Sequence, residues 1–107
     1  MIMLKEGVRL KGISARLVLA LHIADTVFDQ FERPLVITSA SDGQHQEGSW
    51  HYRGEAVDLR SKHLASQVMK TMVLNELKRR LIGFDVLLEH PEQDNEHFHI
   101  EPAGSVQ

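Results

Sequence analysis

The most constraining feature of the chain is a short alternation near its end, His97-Phe98-His99-Ile100-Glu101. On a β-strand, side chains one residue apart point to opposite faces, so Phe98 and Ile100 must enter a core while His97, His99 and Glu101 share the other face. A helix would scatter these residues around its circumference. The chain must therefore form a sheet with one buried face, and two imidazoles must stand side by side on the face that is not.

Upstream, the apolar residues Ile13, Leu17, Leu21, Ala24, Val27, Phe28 and Phe31 recur at three- and four-residue steps, predicting an amphipathic helix over residues 13–31. Ser14 offers an N-cap, and Pro34 biases Arg33 away from helical geometry, which signals the stop. Residues 35–38 (Leu-Val-Ile-Thr) form a β-branched run suited to a buried strand. From residue 39 to 55 the composition turns polar and turn-rich, with Trp50 and Tyr52 its only large apolar bodies. A stretch this long without regular structure in so small a domain reads as a functional loop. Residues 56–59 are a second strand, and residues 62–81 a second helix with Leu64, Val68, Met72, Leu77 and Leu81 on its apolar side, ended by Gly83. Residues 84–89 and 97–101 flank a polar turn and predict an antiparallel hairpin. The expected fold is α+β: a small, mainly antiparallel sheet with two helices, in one domain spanning residues 1–107.

Charge excludes some functions. Twelve Lys and Arg against 15 Asp and Glu give a net charge of -3 with no run of either sign, so neither nucleic acid nor an anionic membrane is an expected partner. The segment 10–21 is interrupted by Lys11, Gly12, Ser14 and Arg16 and lacks the continuous apolar stretch of a signal peptide or membrane span, so the expected place of synthesis and residence is the cytoplasm. Oligomeric state is not encoded in any pattern of the chain.

The chain has no cysteine, so any metal must sit on nitrogen and oxygen. Six of its seven histidines follow residue 44, and this clustering points to such a site. A hydrolytic zinc takes three ligands from His and carboxylate and leaves a position for water. His51, Asp58 and one of the two strand histidines meet that count.

The stretch Asp42-Gly43, His45, Ser49, His51-Tyr52, Gly54 and Ala56-Val57-Asp58 resembles the zinc-binding segment of hedgehog signalling domains. It is similar also to the wider superfamily of zinc D-Ala-D-Ala carboxypeptidases and phage L-alanyl-D-glutamate endopeptidases. Residues 84–89 and His97-Phe98-His99 match the closing hairpin of the same superfamily, so the resemblance covers residues 36–101. It implies Zn2+ held by His51, Asp58 and His99, with His97 beside the open position, and hydrolysis of a peptide bond next to a D-amino acid in peptidoglycan stem peptides. A nearby carboxylate would act as the base: Glu89 by the hedgehog-like pattern, Glu96 by the carboxypeptidase pattern. Strict alternation turns Glu96 away from His99, so a bulge or a non-extended residue would be needed to bring it in. His45 matches a hedgehog histidine and would donate a hydrogen bond to the developing oxyanion alongside His97, a solvated loop histidine being the competing reading. The arginine with which many of these peptidases grip substrate has no counterpart in residues 39–42; Arg53 and Arg60 are the substitutes, against ordinary surface charge. The resemblance also implies a phage or prophage product, released at host lysis or carried on the virion. The alternative function is a non-catalytic binding module stabilised by zinc. His22, His63 and His90 are expected at the surface.

Overall fold

The structure, a computed structural model, describes residues 1–42 and 54–104. It is an α+β fold in which a five-stranded mixed sheet carries two helices. The strands are β1 (Ile2–Leu4), β2 (Leu35–Ser39), β3 (Val57–Arg60), β4 (Phe84–Glu89) and β5 (His97–Pro102), with helices α1 (Ala15–Gln30) and α2 (Gln67–Arg80). The order across the sheet is β1-β2-β3-β5-β4. β1 pairs parallel with β2, and every other pairing is antiparallel, including the expected β4–β5 hairpin. β1 is the one element that no periodicity announces: three residues are too few to show a period, and all three are exposed.

The buried face of the sheet follows from the alternation. Leu35, Ile37, Val57, Leu59, Val86, Phe98 and Ile100 pack against Leu17, Ala24, Val27 and Phe28 of α1 and against Val73 and Leu77 of α2. Ser14 caps α1, its Oγ accepting from the Leu17 amide at 3.2 Å and donating to Glu55 Oε2 at 2.9 Å. Arg16 Nε donates to the same oxygen at 2.9 Å. The Ser14 amide also donates to the Gly54 carbonyl at 2.8 Å. Gly54 has φ +69°, and a Cβ there would collide with the carbonyl oxygen of Gly12, so the position needs glycine on both counts. These contacts tie the start of β3 to the start of α1 and thereby fix where Asp58 stands.

The second helix departs from its expected bounds. Residues 62–65 form a turn and a bend, and the extended Ser66 sets the true start by accepting from the Met69 amide at 3.1 Å. With the frame set there, the buried side is Lys70, Val73 and Leu77, whereas Val68 and Met72 are 70% and 52% exposed. Leu64 and Leu81 are buried but flank the helix. Apolar spacing misplaced the stripe because one of its members is a lysine, which is buried only by virtue of an ion pair. No helix among the described residues is long and apolar enough to cross a membrane.

Candidate metal centre

Cross-strand register assembles the site on the sheet face opposite the helices. His99 on β5 stands between Asp58 on β3 and Leu87 on β4, and His97 stands between Arg60 and Glu89. All of these residues belong to the non-core set of their strands, so Asp58, Arg60, Glu89, His97, His99 and Glu101 share one face. The register between β2 and β3 shifts between Ile37 and Ser39, which places Ser39 opposite Asp58 at the rim of the site.

Four of these side chains converge. His99 Nδ1 lies 2.8 Å from Asp58 Oδ1, and His97 Nε2 lies 3.0 Å from Glu89 Oε1. The cross distances are 3.7 Å from His97 Nε2 to Asp58 Oδ1 and 3.6 Å from His99 Nδ1 to Glu89 Oε1. One donor atom from each of Asp58, Glu89, His97 and His99 lies within 4.8 Å of the other three. Ligands at the usual zinc distances in a tetrahedral shell sit about 3.3 Å apart. The four nitrogen–oxygen separations, between 2.8 and 3.7 Å, bracket that value, and the remaining donor pairs lie within 4.8 Å, so the four side chains could draw in around a single ion.

The outer ring nitrogens make the same case from valence. His97 Nδ1 lies 2.7 Å from the Asn95 carbonyl, which can only accept, so Nδ1 carries the hydrogen and a neutral ring presents its Nε2 lone pair to Glu89. His99 Nε2 lies 2.7 Å from Glu101 Oε1, so each nitrogen of that ring faces a carboxylate. A neutral imidazole has one hydrogen and cannot satisfy two acceptors. A positive species is needed between the rings and the acids, and either protons or a metal ion can supply it. Burial works to lower the His99 pKa, but the hydrogen bonds and charge of Asp58, with Glu101 and Glu89 adding to them, raise it to about 9. The group could thus hold a metal on nitrogen and oxygen donors, and its composition excludes a soft thiolate ion site.

Glu96 stands elsewhere. It is 5% exposed and faces α2, where Lys70 Nζ lies 2.7 Å from Oε1 and Ser61 Oγ donates to the same atom at 2.6 Å. The Glu92 amide donates to Oε2 at 2.7 Å, and Gln67 Nε2 reaches it at 3.5 Å. Burial would raise its pKa, but the Glu92 amide, Lys70 and Ser61 outweigh it and hold the carboxyl down at about 2. No bulge brings it across: alternation at the start of β5 holds, and Glu96 closes the β4–β5 turn onto α2. Of Glu89 and Glu96, the carboxylate that stands beside the two histidines is Glu89.

Of the expected site residues, Asp58, Glu89, His97 and His99 come together. His45 and His51 lie outside the described residues, as do Trp50, Tyr52 and Arg53. Arg60 lies opposite His97, and His22 is exposed. His90 is exposed too, with its ring centroid 6.0 Å from that of His97. His63, expected at the surface, instead stacks on Phe28 at 6.0 Å, with Nε2 2.7 Å from the Pro34 carbonyl. Polar composition around residue 63 hid that placement. Glu101 is the group whose contribution went unassigned, although alternation alone puts it on the histidine face. Comparison with known proteins returned no matching family model, no matching curated protein and no matching solved structure.

Proposed function

We propose that this chain is a zinc peptidase that hydrolyses a peptide bond next to a D-amino acid in peptidoglycan stem peptides. The observation that carries the metal part is the convergence of Asp58, Glu89, His97 and His99, whose donor atoms lie within 4.8 Å of one another. The substrate class rests on the resemblance of residues 36–101 to the zinc D-Ala-D-Ala carboxypeptidases and phage endopeptidases, which also adds His51 to Asp58 and His99 as a ligand.

Bound zinc would supply a water acidified towards pH 7 and a polarised substrate carbonyl. The residues of the chain do the rest. Asp58 and His99, adjacent on paired strands, form the anchor of the ion. Glu89 ends β4 with its carboxylate 38% exposed, so it can both reach the site and exchange with solvent. In this reading it takes a proton from the attacking water and returns it to the leaving amine. His97, oriented by the Asn95 carbonyl, turns its Nε2 towards the same space as Glu89.

A second reading is favoured by one observation: four donors are enough to close a tetrahedral site, as in structural zinc centres. In that case the chain is a zinc-stabilised binding module and Glu89 is a ligand. One experiment separates the two. Zinc-loaded protein is incubated with peptidoglycan fragments, and the products are read by mass spectrometry. The peptidase reading expects new termini beside a D-amino acid, and Glu89→Gln should retain zinc while losing about a hundredfold or more in rate. Intact fragments, with Glu89→Gln releasing the metal, would establish the binding module.

A further inference from the structure

We infer that Glu101 is a positioning residue for the metal centre: it fixes His99 in the Nε2–H form and so commits Nδ1 to the ion. The inference rests on the metal-centre reading and adds to it a residue and an atom. Glu101 lies two positions beyond His99 on the same strand face, and its Oε1 stands 2.7 Å from His99 Nε2. Asp58 Oδ1 stands 2.8 Å from the opposite nitrogen of the same ring. The imidazole is therefore held at both ends by carboxylates with different surroundings. Asp58 belongs to the converging group of Asp58, Glu89, His97 and His99, and Glu101 does not.

The consequence follows from the inventory of the ring. With Nε2–H donated to Glu101, the lone pair left to bind a cation is on Nδ1, the nitrogen that faces Asp58 and Glu89. A carboxylate on the outer nitrogen also makes the ring a stronger donor, and removal of such partners typically weakens metal binding about ten- to a hundredfold. His97 is arranged in the opposite sense. Its Nδ1 is held by the Asn95 carbonyl, and Nε2 faces the group. The two histidines thus offer different nitrogens, and for His99 the group that makes the choice is a replaceable side chain. Glu101 is largely covered, and β5 carries it beside Asp85 of β4, so the geometry is built into the sheet.

The test is zinc affinity by competition with a chelator of known strength, for the wild type, Glu101→Ala and Glu101→Gln, together with nitrogen NMR of the histidine rings in the zinc-loaded proteins. Glu101→Ala should bind zinc about ten- to a hundredfold more weakly. Glu101→Gln keeps a neutral acceptor and should fall between, with a loss of at least about threefold; it decides the matter if the alanine variant does not fold. In the wild type, His99 should show a metal-bound Nδ1 and a protonated Nε2. Affinities of both variants within about twofold of wild type, or zinc on His99 Nε2, would overturn the assignment of Glu101 and leave the metal centre standing. A wild-type protein that binds no zinc would remove the metal centre itself and this inference with it.

Discussion

Glu89 and Glu96 stand at the two ends of one turn, yet they belong to clusters built on opposite principles. Glu96 faces α2, where Lys70 brings a positive charge on the chain itself and Ser61, Gln67 and the Glu92 amide occupy its remaining lone pairs. Glu89 faces the other way, into a group made of two carboxylates and two imidazoles. A covered carboxylate, Glu96 in the first cluster and Asp58 in the second, needs a compensating cation. The first cluster contains one covalently and is complete as folded. The second, in the function proposed for it, takes one from solution, and a site that must receive an ion can also present it to a substrate.

The comparison can be broken by mutation. Glu96→Ala leaves the Lys70 ammonium buried without its partner and should lower the unfolding free energy by about 3–5 kcal/mol in urea titrations. Glu89→Ala in the metal-free protein should cost under about 1 kcal/mol, because that carboxylate is more than a third exposed. Equal losses would mean that the two clusters do the same structural task.

Acid should weaken the Glu96 cluster. Its carboxyl titrates near 2 when folded against an ordinary value of 4.5. A lowered folded pKa means that the contribution to stability is complete above about pH 4.5 and drains away as the pH falls towards 2. The expected loss over that window is about 3 kcal/mol, measured as the difference between the wild type and Glu96→Gln. Parallel stability curves for the two proteins would contradict it. The smallest effect is expected from Gln67→Ala, about 0.5 kcal/mol, since its 3.5 Å contact with Glu96 is the longest in the cluster.

Much of this arrangement is legible in the chain before any coordinates. Alternation in residues 97–101 separates Phe98 and Ile100 from His97 and His99 and turns Glu96 away from His99. The three- and four-residue spacing after Ser14 specifies α1 with its cap. What escapes are features whose cause lies elsewhere in the chain. The buried side of α2 includes Lys70 only because Glu96 meets it, so hydrophobic spacing reads Val68 and Met72 inward when they face solvent. β1 exists because β2 offers an edge to pair with. His63 is covered because Phe28 and Pro34 receive it. Which of Glu89 and Glu96 stands beside the histidines required the turn between them to be placed. The role of Glu101 required the outer nitrogen of His99 to be seen in contact with it.

The central claim is that Asp58, Glu89, His97 and His99 gather around a single cation site, anchored on Asp58 and His99. Its most direct test is a calorimetric zinc titration of the metal-free protein, repeated with Asp58→Ala and His99→Ala. The account predicts one zinc per chain in the wild type and loss of that binding in each variant. A wild type that takes up no zinc, or variants that bind it as tightly as the parent, would contradict it.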